Sequence, residues 1–370
     1  MKILVTGGAG LIGSACCRLF TEKGHEVISV DNNMRKSIFG DDADNLINIE
    51  EEKLNEKVEF VKADIRDKDI LGEIIKKVDS IVHLAAQPSH PRSLEIPMED
   101  FQINAFGTLQ LLELTRNINP GIPFAFMSTN KVYGDYPNYF KYKVVGKRYE
   151  NEAFDSFDET LPIDRCGHTP FGVSKTAADL YTQEYGVNYG MKTATFRGGC
   201  LTGKNSRAVE MHGYLPYIVK CALSKKKYNI FGGGYRVRDQ IHSSDVASAI
   251  YEFIKKPKPS SVGLYGQPYN LGGQRQNSVS IFETIDAIKI KTGVELDFEE
   301  GPERESDHIW WISNMAKFKA DYPGWKMSKD LDFIFNEIIE YYVNKLKLGI
   351  DLKDQSYFKS KIGKECEGDQ

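Results

Sequence analysis

Three glycines and one aspartate near the start of the chain carry the first chemistry that residue type and spacing suggest. Gly7, Gly10 and Gly13 are spaced three apart, directly after the apolar run Ile3, Leu4, Val5 and before an amphipathic stretch that begins at Leu11 and runs toward Gly24. A run that short reads as a buried strand, so the glycines form a strand–turn–helix corner. In such a corner the first glycine permits the tight turn and the second lets a pyrophosphate approach the backbone. The third lets helix and strand pack closely. The unpaired N–H groups of the new helix, at Leu11 and Ile12, would face that anion together with the positive end of the helix dipole. A second strand, residues 27–31, ends at Asp31, 18 residues after Gly13. An acidic residue about 20 positions on is the usual partner of a ribose diol. A carboxylate there repels a 2′-phosphate, so NAD is expected over NADP, with Asn32 in the same site.

These residues need a sheet to position them, and the chain supplies strands alternating with helical stretches. Residues 58–64 read as a third strand that brings Asp64 and Ile65 near an adenine; Asp64 also reads as a cap for a helix over 66–77. Residues 80–86 form a fourth strand in which Leu84 is followed by the small residues Ala85 and Ala86, where backbone passes close to a dinucleotide. His83 inside it reads as a satisfied core histidine. The polar loop 87–93, opened by Gln87, lies at the C-terminal strand edge, where ligands bind in such sheets. A long helix over 99–117 contains Asn104, which needs partners if buried and so pins backbone near the site. Strand 124–128 ends in Ser128 and Thr129. A helix follows over 171–189, then a strand over 193–197 that ends at Arg197.

The aromatic-rich stretch 134–170 is an insertion read equally as an active-site lid or a packing flap. Further on, helices are expected at 215–226, 244–255, 278–291 and 328–346, and strands at 228–231 and 267–271. Residues 32–57 read as a long loop or weak helix. Residues 351–370 read as a loose polar tail. The pattern predicts an α/β fold with a doubly wound parallel sheet of the Rossmann type and a smaller C-terminal region. The dinucleotide unit is assigned to 1–198 and 236–273, and the substrate region to 199–235 and 274–350.

Bulk properties remove several function classes. The 370 residues carry a formal charge of -4 with both signs mixed, and no basic stripe points to nucleic acid. No apolar run is long enough to cross a membrane, and the first strand begins at once, leaving no room for a signal peptide. The six cysteines (16, 17, 166, 200, 221 and 366) show no zinc spacing, and no metal is expected. Read as free thiols, they point to a reducing, cytoplasmic setting. Cys200 has no histidine that spacing pairs with it as an activated nucleophile.

The ordered set of Thr6-Gly7-x-x-Gly10-x-x-Gly13, Asp31, Asp64, His83-Leu-Ala-Ala86, Asn104, Ser128-Thr129 and Phe171-x-x-x-Lys175 resembles the extended short-chain dehydrogenase/reductases. Within them it is similar to the NAD-dependent sugar-nucleotide epimerase/dehydratase family. Arg238-Asp239, Asp245 and Arg304-x-x-Asp307 extend the resemblance to about residue 345. The segments 128–134 and 304–307 are most similar to members that epimerise CDP-sugars at C2.

The resemblance implies that a sugar carbon gives hydride to NAD while its hydroxyl loses a proton to a tyrosine. The planar keto-sugar then turns over and takes hydride back on its other face. Lys175 would favour the phenolate and bind the nicotinamide ribose; Ser128 and Arg197 would adjoin the cofactor. Thr129 would bond the reacting hydroxyl, and Gln87 and Cys200 would adjoin the sugar. Arg238 and Arg304 would hold the diphosphate. The helices at 99–117 and 171–189 resemble those that pair between subunits, so a homodimer or homotetramer is expected. Position 171, where the family has tyrosine, is Phe. Three explanations stand: an introduced substitution that traps a ligand, another base near the site, or a protein that binds without turnover. Dehydratases of the family carry Asp-Glu directly after the threonine; Asn130-Lys131 stands here and disfavours dehydration. A 4-epimerase, a dehydratase of another nucleotide sugar, and a non-catalytic NAD- and nucleotide-binding module are the rival functions.

Overall fold

The computed structural model describes residues 1–350, 352, 357 and 358. Seven parallel strands form the main sheet. From one edge to the other they are Gln267–Leu271, Thr193–Gly198, Phe124–Thr129, Ser80–His83, Lys2–Thr6, Glu26–Val30 and Glu59–Val61. The chain runs outward from Lys2–Thr6 in one direction and then, from Ser80–His83 onward, in the other. That reversal opens a crevice beyond the C-terminal strand ends, the binding place in sheets of this kind. The inner strands are buried on both faces, which is why they read as continuous apolar runs rather than alternating ones.

Helix Leu11–Glu22 packs Cys16, Cys17 and Phe20 against Val246 and Ile250 of helix Ser243–Lys255 on one face of the sheet. The other face is covered by the helical segment from Pro97 to Ile118 and by helix Pro170–Asn188, which Thr169 caps through the Gly172 N–H. The first of these is not one regular helix. A π-helical stretch, Gln102–Phe106, interrupts it at Asn104.

The smaller region pairs Tyr228–Phe231 with Phe298–Gly301. It also joins Cys200–Thr202, Val237–His242, Ser278–Ser280 and Trp310–Trp311 in a second sheet. Residues 237–242 thus belong to this sheet, and the chain returns to the main one only through the helix that follows. A second core of Ile218, Val219, Ile288, Ile334 and Ile338 lies under helices Tyr214–Leu223, Ile281–Thr292 and Leu331–Lys345.

Several boundaries differ from the sequence reading for identifiable reasons. Asp67, not Asp64, caps the helix before residue 75 by accepting from the Ile70 N–H, and that helix is Lys68–Ile75. Asp64 is engaged by Arg66 and Asn32 instead. Ser278–Ser280 is a strand, because Ser280 and Glu283 form a capping box that starts the helix at Ile281. Residues 32–57 contain two short α-helices, Met34–Phe39 and Leu46–Glu51, with a 3₁₀ turn, Asp41–Ala43, between them. The insertion is a flap: its hairpin Tyr142–Val145/Arg148–Asn151 is followed by Phe157, buried against Trp310 and Trp311. Most of the expected tail lies outside the described residues, but Phe358 packs on Phe335 in the second core.

Candidate active site

A cavity of about 460 Å³ fills the crevice. Gly7, Gly10, Leu11, Ile12, Gly13, Asp31, Asn32, Asp64, Ile65 and Leu84 to Ala86 line one end. Glycine is required here by contact. Gly7 has φ +70°, and a Cβ on it would sit 2.7 Å from the Ala85 nitrogen; one on Gly13 would lie 2.0 Å from the Gly7 carbonyl oxygen. Helix Leu11–Glu22 starts at Gly10 with no side chain capping it, so its first N–H groups are left for something else to satisfy. Asp31 accepts from the N–H groups of Ala9 at 3.1 Å and Asn33 at 2.7 Å, which aims its carboxylate along the wall. Burial pushes its pKa up against those two bonds. A bare, Cβ-free cradle at an uncapped helix start, with a carboxylate at the next strand end, fits a dinucleotide.

The middle of the cavity holds Met127, Ser128, Thr129, Phe171 and Lys175. Phe171 and Lys175 lie one turn apart on helix Pro170–Asn188. Lys175 Nζ donates to the Met127 carbonyl oxygen at 2.8 Å and lies 4.1 Å from the Phe126 ring centroid. Burial pushes its ammonium down to about 7, opposed by Asp179 and Asp100. The Ser128 hydroxyl is buried and has no partner among the described residues. Thr129 Oγ1 accepts from the Lys131 N–H at 3.2 Å. Burial raises the Cys200 thiol to about 12, which leaves it protonated and non-nucleophilic.

At the far end Arg236, Arg238, Arg304 and Lys131 surround Asp307. Arg238 Nη2 donates to Asp307 at 2.9 Å, and Lys131 Nζ reaches the same oxygen at 3.3 Å. Burial acts upward on this carboxyl, but Arg238 and Lys131 outweigh it and hold Asp307 well below the usual carboxylate range. The Arg304 guanidinium stacks 3.8 Å from the Phe231 centroid. Arg236 was absent from the sequence reading; its place beside Arg238 on one strand end is visible only once that strand is folded.

Three expected contact residues do not reach the cavity wall. Arg197 forms a buried ion pair with Asp179 at 2.9 Å and donates to Tyr133 Oη at 3.0 Å. It faces the helix rather than the cofactor end, because a buried guanidinium needs a nearby carboxylate. Gln87 is fully buried and bonds Ser89 and Asp100. Asn104 accepts from the Gln87 N–H at 2.9 Å and donates to Asp100 and Ser174, so it pins the loop after Ser80–His83 to the helix that carries Lys175. His83 is the satisfied core histidine expected: Thr6 and Thr108 hydroxyls lie 2.7 and 3.0 Å from its two nitrogens. Burial, with Lys175 adding to it, lowers its pKa to about 3.

The model of the NAD dependent epimerase/dehydratase family matches residues 3–272. The chain belongs to that family. A CDP-paratose 2-epimerase of Salmonella typhi is 33% identical over 325 residues, which cover 86% of this chain and 92% of that one. A dTDP-glucose 4,6-dehydratase of Escherichia coli is 28% identical over 391 residues, 98% of this chain and 99% of its own. Among solved structures, the UDP-glucose 4-epimerase of Thermotoga maritima, crystallised with UDP-glucose, superposes with TM-score 0.74 at 26% identity. It covers 94% of this chain and 100% of that one. As an epimerase/dehydratase family member the chain is an NAD-dependent sugar-nucleotide enzyme.

Proposed function

We propose that the chain epimerises a CDP-activated sugar at C2, in an impaired form because position 171 lacks a hydroxyl. The observation that carries the reading is one continuous cavity. It has a dinucleotide cradle at one end, Thr129, Phe171 and Lys175 at its middle, and an arginine cluster at the other. NAD, when bound, supplies the acceptor and donor of a hydride.

The chain's own residues do the rest. The Gly7 to Gly13 corner holds a pyrophosphate on backbone N–H groups, and Asp31 accepts from the ribose hydroxyls. Ser128 Oγ, with no partner among the described residues, is the group that bonds the ligand near the reacting centre. The Lys175 ammonium lies where it binds a ribose hydroxyl and would stabilise a phenolate one turn away. Thr129 bonds the sugar hydroxyl that loses its proton. Arg238 and Arg304 hold the diphosphate, with Asp307 keeping Arg238 in place. Phe171 presents a ring at the tyrosine position with no group to carry that proton, which removes about 10²–10⁴-fold in rate.

The choice of C2 and of CDP rests on the Salmonella typhi relative, and Asn130-Lys131 after the threonine, where dehydratases carry Asp-Glu, counts against dehydration. The two-domain division, the cytoplasmic setting and a homodimeric or homotetrameric assembly belong to the same reading. The five described cysteines are free, which suits a reducing compartment. The test is isotopic. Hydride that leaves and returns within the site does not exchange with water, so product formed in D₂O carries no deuterium at C2. Deuterium there would mean proton abstraction from carbon and a different enzyme.

A further inference from the structure

His90 lies in the loop after strand Ser80–His83 and lines the same cavity as Phe171, Arg238 and Arg304. Its position is fixed from both sides. Ser89 caps the short turn His90–Ser93 by accepting from the Arg92 N–H at 3.2 Å. Ser93 Oγ donates to the His90 carbonyl oxygen at 2.8 Å and accepts from the Phe171 N–H at 3.0 Å. One serine thus ties the His90 backbone to that of the residue at the reacting centre. On the other side His90 feels the charges of Lys131, Asp307 and Arg304. A sugar whose reacting carbon lies at Thr129 and Phe171, and whose diphosphate lies at Arg238 and Arg304, would lie within reach of a ring tied to Phe171 on one side and facing those charges on the other.

The imidazole is unspent. Its Nε2 bonds nothing among the described residues and is closed to solvent, so a ligand meets it when the ring turns into the cavity. A buried polar atom left in that state costs about 1–3 kcal/mol, and native structures leave few of them. Burial, with the positive charge of Lys131 next, lowers its pKa to about 3, so the ring is neutral and offers one donor and one acceptor. That suits a hydroxyl, which also donates and accepts, and does not suit a phosphate, which the arginines already serve.

We propose that His90 is a specificity-determining residue that hydrogen-bonds a hydroxyl of the sugar ring in the nucleotide-sugar substrate. The inference rests on the sugar-nucleotide reading above and adds to it the group that senses the sugar rather than the nucleotide.

The experiment is calorimetric titration of the NAD-loaded protein with matched pairs: CDP and CDP-glucose, UDP and UDP-glucose, dTDP and dTDP-glucose. In the pair bound most tightly, the ratio of the two affinities isolates the sugar's contribution. His90→Ala should lower that ratio about tenfold while leaving the affinity for the free nucleoside diphosphate unchanged. His90→Gln, which keeps a donor and an acceptor, should retain part of it. A purely structural role would weaken both members of a pair alike, and that result overturns the proposal. An unchanged ratio in His90→Ala overturns it as well, while leaving the sugar-nucleotide reading intact. Failure of every pair to bind the unaltered protein sinks both together.

Discussion

Lys175 Nζ donates to the Met127 carbonyl oxygen at 2.8 Å, joining helix Pro170–Asn188 to the end of strand Phe124–Thr129. The bond fixes the ammonium between Phe171, one turn back on the same helix, and Thr129, two residues further along the strand. Its burial has a consequence for stability. The folded pKa is lowered from 10.5 to about 7, so between those values the unfolded chain holds a proton that the folded chain does not. Stability from this residue therefore rises with pH across that window and is lowest below it. Lys175→Met removes the titration. Its stability relative to the unaltered protein should be most favourable near pH ~6 and should decline by pH ~9. Urea unfolding at both pH values measures this; a difference independent of pH contradicts the shift.

Cofactor choice follows from Asp31. The two backbone bonds that aim its carboxylate leave it facing the cavity, where a 2′-phosphate would meet a negative charge. NAD should bind far more tightly than NADP, and Asp31→Ala should narrow the gap, mostly by losing affinity for NAD. Fluorescence titration with both cofactors reads the ratio. Equal affinities in the unaltered protein would contradict the role given to Asp31.

Arg197 and Asp179 are both almost fully buried, and Tyr133 Oη completes the guanidinium's contacts while donating to Asn270 at 2.8 Å. Removing one partner leaves a buried charge uncompensated. Arg197→Met should cost about 3–5 kcal/mol in unfolding free energy, and restoring neutrality with Asp179→Leu in the same chain should recover part of it. A loss under about 1 kcal/mol would place the pair among weak surface bridges.

For the proposed homo-oligomer, the candidate surface is the outer faces of the two helical segments on the same side of the sheet. Met98 is 71% exposed, Phe101 50%, Val173 55% and Leu180 46%, with Phe106 and Tyr181 between them. Such an apolar face suits a second copy of the same face. Light scattering at micromolar concentration should give at least a dimer, and Leu180→Lys with Phe101→Glu should give a monomer that keeps its fold. A monomeric unaltered protein would remove the interface.

What the sequence made legible was local. Gly7, Gly10, Gly13 and Asp31 act through backbone geometry within one strand–turn–helix–strand unit, and their spacing is that geometry. His83 was legible because a histidine inside an apolar strand has few other fates. Arg197 was not, since its partner Asp179 is 18 residues away on a helix and only the packed structure brings the two together. Gln87 and Asn104 share that difficulty. The loop 87–93 was recognised as lying at the binding edge, but nothing in a single chain separates Gln87, which turns inward, from His90, which stays on the wall. Asp64 and Asp67 are both plausible caps by type, and the choice was made by Arg66, whose guanidinium occupies Asp64. The insertion's aromatic residues announced packing or covering; Trp310 and Trp311, far along the chain, decided for packing.

The proposed site lacks one hydroxyl, at position 171, and kinetics of Phe171→Tyr tests that most directly. Turnover of a CDP-sugar, followed by NMR, should rise about 10²–10⁴-fold over the unaltered protein, with NAD affinity little changed. Adding Lys175→Met to the same chain should remove most of the gain, because the phenolate then loses the cation that favours it. No gain from Phe171→Tyr, beside full activity in the unaltered protein, would show that another group carries the proton and would contradict the account at its centre.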